Sequence, residues 1–97
     1  MKGYLIANVD VKDASAYERY RSRTRAIVER HGGRFLVRGG VIDALEGDPG
    51  FARLVIIEFP GVEAAHAFYA SPEYQEIIPF RTKASEGRLC IVAGAEE

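Results

Sequence analysis

Ninety-seven residues, 47% hydrophobic and 28% charged with a net charge of −1, describe one small domain of soluble type. The near-neutral balance gives no global field to attract nucleic acid or acidic membrane, and no apolar run approaches the roughly 18 residues that a membrane span needs. One cysteine, Cys90, excludes an internal disulfide framework and suits a reducing cytoplasm; within Leu89-Cys90-Ile91-Val92 it reads as a small buried hydrophobe.

Met1-Lys2-Gly3 shows no signal-peptide pattern and leads into Gly3–Val11, a run of strand formers interrupted only by Asn8. Asp13 is placed as an N-cap, and Tyr17, Tyr20, Thr24, Ile27, Val28 and His31 follow at helical spacing until Gly32-Gly33 ends the helix. Arg34–Leu45 reads as a second strand, with Gly39-Gly40 inside it marking a bulge or a close approach. After the turn cluster Glu46-Gly47-Asp48-Pro49-Gly50, Phe51–Phe59 reads as a third strand, which Pro60-Gly61 breaks. Glu63–Tyr69 forms a short helix, and Ser71-Pro72 opens another helical piece that Pro79 is expected to break or kink. Gly87 precedes a last strand, Arg88–Ala93, and the tail 94–97 is expected to fray.

The order β-α-β-β-α-β is the ferredoxin-like α+β pattern over residues 1–97: a four-stranded antiparallel sheet, two helices on one face, and the first and third strands in the centre. A sheet with one wet face should alternate apolar and polar residues. Here Leu5, Ala7 and Val9 oppose Tyr4 and Ile6, and Val55, Ile57 and Phe59 oppose Leu54 and Ile56, so both faces are apolar. The helices cover one. The other would leave several hundred Å² of apolar surface (about four strands at about 4.8 Å spacing), which soluble monomers rarely expose. The expected cover is the same face of a second copy about a two-fold axis.

Met1-Lys2-Gly3-Tyr4, the string Gly32-Gly33-Arg34-Phe35-Leu36-Val37-Arg38-Gly39-Gly40, Leu45-Glu46-Gly47, Ile57-Glu58-Phe59-Pro60 and Ser71-Pro72-Glu73-Tyr74 span the chain. Together they resemble the domain-of-unknown-function family thirteen-thirty of the dimeric α+β barrel superfamily. The resemblance implies a ferredoxin-like protomer and a sheet-to-sheet dimer. It implies no reaction, since the superfamily includes cofactor-free monooxygenases, lactone isomerases, haem-binding enzymes and stress proteins, and fold does not fix function.

Arg38 and Glu58 are the lone charges on two apolar strands, and a lone charge costs several kcal/mol to desolvate (roughly,). A turn near Gly47-Asp48 sets Arg38 diagonal to Glu58. As catalytic candidates, Arg38 would hold a carboxylate or enolate oxygen in two-point fashion and Glu58 would orient it or relay a proton. Otherwise the two form an ion pair that only fixes register, whose disruption would cost about 3–5 kcal/mol. Arg81, before the last strand, and Tyr17, Tyr20, Tyr69 and Tyr74 are ligand-binding candidates if a cavity separates helices and sheet; the same tyrosines and Phe68 would equally serve as core. Asn8 either faces that cavity or is satisfied at the strand end. Glu63 and His66 are a fragment of a metal site without evident further ligands, and His31 suits a helix C-terminus. Arg19, Arg21, Arg23, Arg25 and Arg30 give the first helix a basic face. The third strand lacks the exposed aromatics of RNA-recognition domains, and no phosphate loop or nucleophile elbow is present. Two function classes follow: a homodimeric enzyme without a tightly held cofactor, acting on a small organic acid or enolisable carbonyl compound, or a non-catalytic binding or stress-related homodimer.

Overall fold

The computed structural model describes residues 1–96. The elements are β1 (Gly3–Val11), α1 (Ala14–Arg30), β2 (Arg34–Arg38), β3 (Leu54–Phe59), α2 (Val62–Ala70), α3 (Pro72–Ala84) and β4 (Ser85–Ala93). The strands form one antiparallel sheet in the order β2-β3-β1-β4, which puts β1 and β3 in the centre. This is the ferredoxin-like α+β fold. Three helices rather than two cover its face, because Ser71 ends α2 with an extended backbone and at once caps α3, accepting from the Tyr74 amide at 3.3 Å.

Period-two alternation sorts the sheet. Leu5, Ala7, Val9, Val55, Ile57 and Phe59 are buried toward the helices, while Tyr4, Ile6, Leu54 and Ile56 on the opposite face are half-buried. On α1 the Asp13 carboxylate accepts from the Ala16 amide at 3.0 Å, and Tyr17, Tyr20, Thr24, Ile27 and Val28 form the buried stripe. Phe59, Phe68 and Tyr74 stack at the centre of the core, with ring centroids 5.2 and 4.4 Å apart. Each aromatic contact of this kind adds about 0.5–1.5 kcal/mol beyond area burial.

Several boundaries differ from the sequence expectation. β2 stops at Arg38 instead of running to Leu45, because Gly39 takes φ +74°, outside the extended region. A Cβ at Gly39 would also lie 2.7 Å from the Arg53 side chain, so the close approach is real although the strand is not. Residues 39–53 then form a loop, and β3 begins at Leu54 rather than Phe51. The helix opened by Ser71 continues through Pro79. Its buried stripe Tyr74, Ile77, Arg81 and Ala84 holds it to the core, and Pro79 lies on the exposed side, where the Gln75 carbonyl that it leaves without a donor is open to solvent. β4 starts at Ser85, three residues before Arg88, paired to Val11. Cys90 is exposed, not buried, because it pairs with Ile6 and so lies on the face away from the helices. The chain stays tied through Gly94, whose amide donates to the Lys2 carbonyl at 2.8 Å, and Glu97 lies outside the described residues.

Among the described residues, no helix is long and apolar enough to cross a membrane. The face away from the helices remains open, with Leu36 45% and Val92 44% exposed beside Ile6 and Ile56.

Candidate functional site

Register decides the site. Arg34 pairs with Glu58 and Phe35 with Ile57, but Val37 then pairs with Ile56 and Arg38 with Val55, so Leu36 is an extra residue in a β-bulge. The bulge turns Arg38 toward the helices, in line with Phe35 and Val55. Glu58 lies on the open face beside Tyr4. The expected Arg38–Glu58 pair is therefore absent. Counting from a tight turn misplaced the register, because the irregular 39–53 loop and the bulge both intervene. Glu58 instead accepts from Arg34 Nε at 3.1 Å and from the Tyr4 hydroxyl at 3.3 Å. Desolvation, then the Glu58 carboxylate, raises the Tyr4 phenol above its ordinary value.

On the helix side a narrow cleft lies between α1, α3 and the sheet. It gathers Arg38, Arg81, Tyr17, Tyr20 and Tyr74 from the expected set, with walls of Leu5, Ala7, Val55 and Ile57. The tyrosines fill most of it, leaving about 20 Å³ of space, room for one or two water molecules. Tyr17, Tyr20 and Tyr74 are core residues that also line the residual cleft.

Arg81 stands on the buried stripe of α3, not in an irregular segment, and is 8% exposed. No carboxylate pairs with it among the described residues, and its buried Nε has no hydrogen-bond partner. An unpaired buried cation is costly. Its guanidinium carbon lies 5.9 Å from the Tyr20 ring centroid. The Tyr20 and Tyr74 hydroxyls are 2.7 Å apart. Burial, then Tyr74, pushes the Tyr20 phenol well above its ordinary value. Burial also raises Tyr74, against the opposing hydrogen bond with Tyr20 and both the charge and the hydrogen bonding of Arg81. Both phenols are neutral hydrogen-bond donors at physiological pH, not bases.

Arg38 forms the rim. Its guanidinium stacks 4.1 Å from the Phe35 ring centroid and donates to the Arg21 carbonyl at 2.9 Å. Burial, then the charges of Arg21, Arg25 and Arg53, lowers its pKa. Arg53 lies 5.7 Å from the Tyr17 ring centroid. The lining thus holds four arginines, Arg21, Arg38, Arg53 and Arg81, and no aspartate, glutamate or histidine. In a chain of net charge −1 this is a strong local excess of one sign.

Two expected ligand contacts lie elsewhere. Asn8 faces the open side, where its amide donates to the Gly50 carbonyl (3.0 Å) and accepts from the Ala52 amide (2.8 Å), so it ties down the loop. Tyr69 is 40% exposed and borders a shallow hollow with His66 and Cys90 at the β4 edge. His31 donates its Nδ1–H to the Ile27 carbonyl, 3.0 Å away, as a helix-end residue. Of the basic face of α1, Arg23 and Arg30 pair with Glu76 and Glu73 of α3, while Arg21 serves the cleft.

Arg21, Thr24, Phe35 and Arg53 were not foreseen at the site. The signal for two of them was present: Arg53 shares the parity of Val55, Ile57 and Phe59, and Arg21, itself exposed, follows Tyr17 by four residues beside the buried stripe of α1.

Solved structures share this architecture. The RPA0582 protein of unknown function from Rhodopseudomonas palustris is 23% identical, with 99% of this chain and 84% of that chain covered at a TM-score of 0.75. SnoaB from Streptomyces nogalater, a cofactor-independent oxygenase, is 14% identical, with 99% and 95% covered at a TM-score of 0.61. A putative antibiotic biosynthesis monooxygenase from Nitrosomonas europaea is 15% identical, with 96% and 89% covered at a TM-score of 0.54. These likenesses show the fold shared with dimeric α+β barrel proteins. No curated protein matches the chain in sequence. The family described as Domain of unknown function (DUF1330) matches residues 2–95, and the chain belongs to that family.

Proposed function

We propose that the helix–sheet cleft binds a small organic acid or the enolate of a carbonyl compound, without a tightly held cofactor, in a protein that works as a homodimer. One observation carries the reading: Arg81 is buried without a counter-ion among the described residues, its Nε unsatisfied, next to the Tyr20–Tyr74 hydroxyl pair. Natural folds rarely bury a bare cation. A carboxylate or enolate oxygen placed against Arg81 and a tyrosine O–H would supply the missing charge and take charge-assisted hydrogen bonds. SnoaB, of similar fold, is a cofactor-independent oxygenase, which is compatible with an enolisable substrate and specifies none.

The non-catalytic reading is favoured by a specific feature. The cleft lining holds no carboxylate or imidazole to move a proton, and Glu58 is on the other face. Proton–deuteron exchange at the α-carbon of a bound keto acid, followed by NMR, separates the two. Exchange that Arg81→Met abolishes supports catalysis; saturable binding without exchange supports a binding protein. Titration calorimetry that detects no heat with any small carboxylate or keto acid would sink the reading altogether.

The dimer rests on the open sheet face, where Ile6, Leu54 and Ile56 are half-buried and Leu36 and Val92 more exposed. Isologous pairing of this face covers an apolar surface that the chain's own helices leave bare.

A further inference from the structure

We infer that the ligand of the cleft is a dianion, a short aliphatic dicarboxylate with one carboxylate at Arg81 on the floor and the other between Arg38 and Arg53 at the rim. This rests on the organic-acid reading above and narrows it.

The cleft has two cationic poles with an aromatic span between them. Arg81 lies 5.9 Å from the Tyr20 ring centroid, Tyr20 lies 5.4 Å from Tyr17, and Tyr17 lies 5.7 Å from Arg53. The two tyrosine rings thus separate the floor cation from the rim cations. A monoanion satisfies only one pole. Were it seated on Arg81, the rim would keep its like-charge crowding, in which Arg21, Arg25 and Arg53 all act on a partly desolvated Arg38. Among the described residues no carboxylate bridges to Arg38 or Arg53. Of the rim set, Arg21 alone has a carboxylate near, Glu18 at 3.6 Å on the exposed side of the helix. A second negative end relieves that repulsion and takes a two-point guanidinium contact. The span between the poles is walled by phenol rings and aliphatic side chains, which suits methylene groups. The free space as it stands, about 20 Å³, holds only water, so side chains must give way to any ligand, and a slender chain asks for less displacement than a ring. Entry requires Arg38 to swing aside, and its hydrogen bond to the Arg21 carbonyl is exposed and readily exchanged for water.

The test is titration calorimetry on the full chain with unbranched dicarboxylates of three to six carbons, each against the monocarboxylate of equal carbon number. The best dicarboxylate is expected to bind at least about tenfold tighter than its monocarboxylate partner. Arg38→Met or Arg53→Met should reduce that ratio to within about twofold, Arg38→Lys should retain part of it, and Arg81→Met should weaken both ligands. Thermal unfolding of each variant verifies that it is folded, and either rim variant suffices if the other fails. Equal affinity for both series, still dependent on Arg81, overturns the dianion and leaves the organic-acid reading standing. Affinity that neither Arg81→Met nor Arg38→Met changes, or no binding of either series, overturns both.

Discussion

The hydroxyls of Tyr20 and Tyr74, from α1 and α3, meet at 2.7 Å on the floor of a cleft that collects arginines and no acid. One of the two must donate to the other, so at least one phenolic proton remains for a third partner. The pair joins the packing of two helices to the chemistry of the site.

Arg81→Met should separate stability from function. The thioether has similar reach and fits the apolar surroundings, and the unsatisfied cation is removed. The urea midpoint is expected to rise, by about 1–3 kcal/mol in unfolding free energy, while carboxylate binding disappears. A fall in the midpoint would mark Arg81 as a structural residue.

The buried phenols make the fold sensitive to alkali. Tyr20 and Tyr74 both ionise at higher pH in the folded chain than their ordinary value of 10.0. Above about pH 10 the unfolded chain therefore releases protons that the folded chain retains, and stability falls as pH rises through the folded-state values. Below pH 10 the contribution is fully present. Denaturation curves between pH 8 and pH 11 should show this loss, and Tyr20→Phe should reduce it, at a cost of about 1 kcal/mol at neutral pH for the lost hydrogen bond.

Cys90 reports on the open face. It is exposed in the single chain and pairs with Ile6 on the bare face proposed above for the dimer. A thiol reagent should modify it slowly at concentrations where light scattering gives twice the 10.7 kDa chain mass, and faster on dilution. Ile56→Asp should give the monomer mass and the fast rate; a dimer mass that survives this substitution would place the interface elsewhere.

Glu58→Gln should leave ligand affinity unchanged, because Glu58 lies across the sheet from the cleft. Its partner Arg34 is 73% exposed, so the loss in stability should stay near or below about 1 kcal/mol. A calorimetric titration in which the variant binds carboxylate more than about threefold weaker would contradict the separation of the two faces.

The sequence made the architecture legible because its signals were redundant. Asp13 and Ser71 cap the helices they were expected to cap, and parity along β1 and β3 identified both the core face and the bare one. The site was legible in residue type but not in grouping. Arg38, Arg81, Tyr17, Tyr20 and Tyr74 do converge, whereas Glu58, Asn8 and Tyr69 do not, and the difference lies in facing. Asn8 and Glu58 share the parity of the bare face, whereas the facing of Arg38 depends on a register that the bulge and the long loop remove from the pattern. The place of Arg81 is legible from the Tyr74–Ile77–Arg81–Ala84 stripe, whose burial carries α3 past Pro79 against the tendency of proline to break a helix.

The bulge at Leu36 has an evolutionary corollary. Phe35 and Arg38 stand three residues apart yet both face the helices, and only the extra residue of the bulge allows that parity. Deleting the Leu36 codon would let the strand run regular, with Val37 still opposite Ile56 and Arg38 still opposite Val55. The cleft would keep its rim cation, and the bare face would lose one apolar side chain. The two faces are thus unequally sensitive to a single genetic lesion: lineages that lack this residue should keep the arginine and show a smaller apolar surface on the side away from the helices.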